Sequence, residues 1–263
     1  MLAGTEMACS GKPLMKHPVI DEIESSGLTT LPDGTRVPIH SNIRPDSGRV
    51  IQHAIEATRP RIGLEVGLAY GMSTLYILQA MGLHGLGRLI GLDPAQHDAT
   101  WRGGGLYNVK RAGFEDRYCF YEEPSQVVLP RLAAAGTRIQ FAFIDGWHTF
   151  DHTLVDFFFI DGMLDVGGII VIDDVGYPSI RRLCHFILSN REYIGFDFAR
   201  YPSQTLRKRL KRVAQTVLHP LVRDDFTPNV TVRAQQWTLE NVHLIALRKK
   251  ADDRRSFDNF AAF

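Results

Sequence analysis

Two short polar stretches carrying acids stand where apolar runs stop. Ile139-Gln-Phe-Ala-Phe-Ile144 runs into Asp145-Gly-Trp-His148, and Ile169-Ile-Val-Ile172 runs into Asp173-Asp174. If both runs are strands with neighbouring tips, three carboxylates and an imidazole meet at one place. Carboxylates that close raise one another's pKa unless a cation neutralises them. The all-oxygen set Asp145, Asp173 and Asp174 favours Mg²⁺, with Mn²⁺ or Ca²⁺ as alternatives. Such an ion lowers the pKa of a bound hydroxyl, and a neutral histidine then serves as base near neutral pH. His148, with Asp145, is the catalytic candidate. Inside a strand Asp173 and Asp174 would point to opposite faces, so they converge only if the strand ends between them, as the following Val175-Gly-Tyr-Pro178 allows. The competing readings are plain: the paired acids only cap and turn, Asp145 alone serves a cofactor, and His148 only orients Asp145. Trp147, Trp101 and Tyr177 are candidates for lining an acceptor pocket, Trp101 alternatively anchoring its loop. His152 and the Phe157-Phe-Phe159 run read as helix positions, the former exposed and the latter buried.

The elements that must position these residues follow from the pattern of apolar runs. They recur at 62–67, 88–93, 117–121, 139–145, 168–173 and 242–248, with helical periodicity over 72–83, 125–135, 150–164 and 178–190. A helix capped by Asp46 or Ser47 and ending at Arg59 precedes them, and Gly167-Gly168 is read as the break after the helix over 150–164. This alternation predicts an α/β fold, a doubly wound and mostly parallel sheet, whose carboxyl edge binds ligands. The expected organisation is an N-terminal extension or lid over 1–44, one domain over 45–250 with a basic helical insertion at about 200–238, and a tail over 251–263.

A glycine loop opens that domain. Ile62-Gly-Leu-Glu65-Val-Gly67 is followed by Gly71 and a helix start, so a helix N-terminus with free N–H groups faces a ligand. The spacing Glu-x-Gly-x-x-x-Gly departs from the G-x-G-x-x-G of dinucleotide folds and favours S-adenosylmethionine over NAD. Asp93, closing Arg88-Leu-Ile-Gly-Leu92, stands where a carboxylate accepts both ribose hydroxyls.

Residues 46 to about 190 resemble the class I S-adenosylmethionine-dependent methyltransferases, a seven-stranded Rossmann-like fold. Leu64-Glu-Val-Gly-Leu-Ala-Tyr-Gly-Met-Ser73 is similar to the first motif of the metal-dependent O-methyltransferases. The resemblance implies that Glu65, Gly67 and Ser73 lie near the methionine end of the cofactor and Ser125 near the adenine. Ile144-Asp-Gly-Trp-His-Thr-Phe150, with Gly-Gly-Ile-Ile-Val-Ile-Asp173-Asp174, resembles bacterial sugar and macrolide-sugar O-methyltransferases. Catechol-type enzymes carry lysine and asparagine where this chain has His148 and Asp174, which leans the resemblance toward the sugar-type branch. The implied function is methyl transfer to a metal-held hydroxyl of a sugar or small natural product. The alternatives are a metal-independent N- or C-methyltransferase and a non-catalytic binding protein of the same fold.

Composition bounds the rest. The 263 residues are 44% hydrophobic, enough for one sizeable core, and 30 Lys and Arg nearly balance 29 Asp and Glu. Between 200 and 223 there are seven Lys or Arg and no acid, interleaved with Leu206, Leu210, Val213 and Val217 at helical spacing. A solvated insertion helix is the simplest account; an acidic substrate or a peripheral contact with an anionic membrane is the other, and nucleic acid is disfavoured for want of interleaved aromatics. Cys9, Cys119 and Cys184 show no paired or metal-ligand spacing, and no segment reads as a signal peptide or membrane span, so a cytoplasmic protein is expected. A homo-oligomer is left open.

Overall fold

The computed structural model describes residues 16–85, 87–200, 239, 241–259 and 261–263. Helix α1 (Pro18–Ser26) and a hairpin of β1 (Leu28–Thr30) and β2 (Arg36–Pro38) lead into α2 (Pro45–Thr58). Strand and helix then alternate as β3 (Ile62–Val66), α3 (Met72–Gly82), β4 (Arg88–Leu92), α4 (Gly104–Arg111), β5 (Tyr118–Tyr121), α5 (Ser125–Ala134), β6 (Ile139–Ile144), α6 (Phe150–Met163), β7 (Leu164–Ile172) and α7 (Pro178–Asn190). The edge pair β8 (Tyr193–Arg200) and β9 (Val242–Lys249) completes a seven-stranded sheet of order β5-β4-β3-β6-β7-β9-β8. Strands β3 to β7 are parallel, and β9 runs antiparallel to both its neighbours. The strand order reverses between β3 and β6, the switch point where doubly wound sheets open a crevice.

Both faces of the sheet are covered, which is why its central strands are continuous apolar runs. Phe141, Phe143, Ile169 and Val171 pack toward Val50, Ile51, Leu75 and Leu78 of α2 and α3, with Ile20 and Ile23 of α1 in the same cluster. Ala142, Ile144, Ile170 and Ile172 pack toward α5, α6 and α7 through Leu129, Phe157, Ile160 and Leu183. Phe157 is thus a core residue, while Phe158 is 58% exposed.

Several local expectations are corrected. Helix α2 starts at Pro45 with Arg44 as N-cap, so Asp46 and Ser47 lie inside its first turn; proline's fixed φ and missing N–H suit that position. Helix α6 ends at Met163 and passes directly into β7, and Gly167-Gly168 falls within that strand rather than breaking the helix. Strand β8 escaped the pattern because Gly195 and Asp197 interrupt its apolar residues at a half-exposed edge. The basic insertion lies outside the described residues apart from Arg200, which pairs with Val242. Among the described residues no helix is long and apolar enough to cross a membrane, and Cys119 and Cys184 are free thiols.

Candidate active site

The parallel ladder brings the candidate residues to one level. Val66 is in register with Leu92 and with Ile144, and Ile144 with Ile172. One residue further on, Gly67 N–H donates to Leu92 O (2.8 Å), Asp145 N–H to Val66 O (2.9 Å) and Asp173 N–H to Ile144 O (3.1 Å). Gly67, Asp93, Asp145 and Asp173 therefore emerge in a row at the carboxyl edge.

The glycine loop is shaped by its neighbours. Gly67 has φ +93°, and a Cβ there would stand 2.1 Å from Asp145 O, so only glycine lets the β3 and β6 tips pass. Gly71, at φ +78°, is the N-cap of α3. Asp93 clamps the loop: its Oδ2 accepts the Leu68 and Ala69 N–H groups at 2.9 and 3.1 Å, and its Oδ1 accepts Ala95 N–H at 2.9 Å. Gly67, Tyr70, Ser73 and Asp145 line a pocket whose opposite wall is Ser41, Asn42 and Ile43. Glu65 does not line it. That side chain is fully buried beneath the loop, accepting hydroxyl bonds from Ser73 (2.6 Å) and Thr74 (2.7 Å), and burial pushes its carboxyl up to about 8 despite both donors.

The second cluster lies beside this pocket. His148 Nε2 is 3.3 Å from Asp145 Oδ1 and 3.2 Å from Asp174 Oδ2. Strand β7 ends at Ile172, and Asp174 turns into the left-handed region at φ +54°. That turn separates the paired acids: Asp174 joins His148, whereas Asp173 Oδ1 accepts the Asp174 N–H (2.9 Å) and faces His243 Nδ1 at 3.9 Å. The group drawn together is Asp145, His148 and Asp174, with one ligand atom of each within 4.8 Å of the others. Of the expected carboxylates, Asp173 is the one outside it. Loss of solvent raises the Asp145 and Asp174 carboxyls, with the Asp173 charge adding to both. The bond to Asp145 raises His148 in turn. Tyr177 stacks on the imidazole at 5.3 Å and 19°.

Other candidates lie apart. Trp101 packs on Tyr70 and His40, both at 5.1 Å, and so anchors its loop against the N-terminal segment. Trp147 is 69% exposed, and His152 bonds Thr149 Oγ1 at 2.9 Å on the surface of α6. Ser125 is the first residue of α5 and neighbours the buried Asp156.

Residues 64–175 match the family model of a methyltransferase domain. That matched stretch, from β3 to the turn after β7, is similar to a methyltransferase domain. The chain's fold is similar to that of the O-methyltransferase from Bacillus cereus in complex with SAH, at TM-score 0.58 and 15% identity over 90% of this chain and 93% of that one. It is also similar to TomG, the O-methyltransferase of tomaymycin synthesis from Streptomyces achromogenes in complex with SAM, at TM-score 0.56 and 13% identity over 89% and 88% of the two chains. No curated protein matches the sequence.

Two features of this site were not read from the sequence. Ser41 to Ile43 reach the pocket only through tertiary packing and carry no motif. His243 left a visible sign: it is the one polar side chain in the Val242–Leu247 run. It is buried, with Nε2 3.2 Å from Asp46 Oδ2 and Nδ1 3.4 Å from Ser47 Oγ, so it joins the start of α2 to Asp173.

Proposed function

We propose that the domain is an O-methyltransferase that moves the methyl group of S-adenosylmethionine to a hydroxyl of a sugar or small natural product. The observation that carries this reading is the Asp145, His148 and Asp174 cluster, because Asp145 also lines the glycine-loop pocket. S-adenosylmethionine supplies a methyl already activated on a sulfonium, so the chain must align an oxygen and remove its proton. Gly67, Gly71 and Ser73 frame the methionine end, with Glu65 bracing Ser73 from below. Asp93 already accepts three backbone N–H bonds, which leaves about one of its four acceptor sites for a ribose hydroxyl. Ser125 serves the adenine end.

The two carboxylates of this cluster, gathered at a partly open edge beside the pocket, fit a divalent cation. Asp145 and Asp174 would hold it, with Asp173 behind them, and a bound Mg²⁺ or Mn²⁺ lowers the pKa of an acceptor hydroxyl. His148 Nε2 faces the same space and takes the proton. The test is transfer of labelled methyl from S-adenosylmethionine to a panel of glycosides and small hydroxyl compounds, with and without a chelator. An O-methyl product that is lost on chelation and restored by Mg²⁺ or Mn²⁺ is expected. A chelator-insensitive N- or C-methyl product would overturn the reading.

A further inference from the structure

Strand β9 breaks register beside the site. Ala199 is in register with Leu244 and Arg200 with Val242, so one step along β8 spans two along β9, a β-bulge at His243. The bulge changes which face a side chain reaches. Leu244 and Ala246 pack toward α2 and α3, and Ile245 and Leu247 toward α5, α6 and α7. Strict alternation would set Val242 with the first group and His243 with the second. Val242 instead joins the second group, and His243 meets α2, where Nε2 lies 3.2 Å from Asp46 Oδ2 and Nδ1 3.4 Å from Ser47 Oγ. A buried imidazole is thus delivered to a polar setting that an unbroken strand would not give it.

From there His243 reaches both halves of the site. Its carbonyl accepts the Val175 N–H at 3.0 Å, immediately after the left-handed turn at Asp174, and its Nδ1 faces Asp173 Oδ1 at 3.9 Å. The acid corner is therefore held by main chain and side chain at once. On the other side, only Arg44 and Pro45 separate Asp46 from Ser41 to Ile43, the outer wall of the glycine-loop pocket, and proline's fixed φ stiffens that link. We infer that His243 is a positioning residue that joins the pocket wall to the acid corner, so that an S-adenosyl ligand in the pocket and a divalent cation at the corner each strengthen binding of the other. This rests on the cofactor and cation readings given above.

Calorimetry of Mn²⁺ binding, with and without saturating S-adenosylhomocysteine, measures the link on wild type, His243→Ala and Asp46→Ala. In wild type the ligand should tighten Mn²⁺ binding by about fivefold or more, and Mn²⁺ should tighten S-adenosylhomocysteine binding by the same factor, since coupling is reciprocal. Each variant should cut that factor to about twofold or less, the remainder passing through Asp145, which belongs to both halves. A substitution that only loosened the fold would weaken both ligands and leave the factor alone. Asp46 lies in neither the pocket nor the acid cluster, so Asp46→Ala acts only through His243 and carries the test should His243→Ala fail to fold. No coupling in wild type, or coupling unchanged in a folded variant, overturns the inference while leaving both readings intact. Wild type that binds S-adenosylhomocysteine but not Mn²⁺ overturns the cation reading and the inference with it, and binding of neither overturns all three.

Discussion

His148 and Asp174 meet at 3.2 Å because the chain turns left-handed at the second of two consecutive acids. Without that turn the pair would splay across the sheet, and the imidazole would have one carboxylate instead of two. The cluster is therefore made by a backbone conformation as much as by side-chain identity.

Asp174 should tolerate asparagine and glycine at its φ of +54° better than it tolerates alanine. Asp174→Ala is expected to lower stability by about 1 kcal/mol relative to Asp174→Gly, the usual cost of a Cβ in the left-handed region. Urea denaturation of the three variants measures this, and equal midpoints would show that the turn is unstrained.

His148→Ala should lower kcat by about a hundredfold or more near neutral pH, as expected for a lost general base. S-adenosylhomocysteine affinity should stay within about twofold of wild type, because His148 does not line the glycine-loop pocket. Initial rates and calorimetry separate the two effects; an unchanged kcat would remove the base role.

Gly67→Ala should abolish detectable cofactor binding or unfold the β3 tip, since its Cβ would collide with the Asp145 carbonyl at 2.1 Å. Calorimetry with S-adenosylhomocysteine, alongside a thermal melt, reads the outcome. Near-normal affinity would mean that the two strand tips can part freely.

Glu65 makes stability pH-dependent in an unusual direction. Its folded carboxyl sits at about 8 against an ordinary 4.5, so between these values the folded state holds the extra proton. Stability contributed by that difference is full below about 4.5 and is lost as pH rises toward about 8. Asp156, raised by burial to about 6, acts in the same sense over a lower window. Glu65→Gln should flatten the fall in urea midpoint between pH 5 and 8; an unaltered slope would place the titration elsewhere.

The sequence made the fold legible wherever strands are buried on both faces, because there the apolar runs are unbroken, as in Ile139–Ile144 and Ile169–Ile172. It was blind to β8, where an edge position lets Gly195 and Asp197 intervene. At the site, spacing placed Asp145, His148 and the paired acids at strand tips, but could not tell which of Asp173 and Asp174 would turn inward. That choice depends on one φ angle and on His243, some seventy residues away in the chain. Likewise Glu65 was expected at the ligand and lies under the loop, since a sequence shows which strand residue is polar but not how deeply the next helix covers it.

The pairing of Arg200 with Val242 means that the chain leaves the sheet and returns at adjacent points of the same edge. Topologically β8 and β9 are antiparallel neighbours. Closing a longer loop between two fixed neighbours costs only about 0.6 kcal/mol for each doubling of its length. The sheet therefore places almost no constraint on how many residues stand between β8 and β9. A change in the length of that connection would leave the row of strand tips Gly67, Asp93, Asp145 and Asp173 where it is.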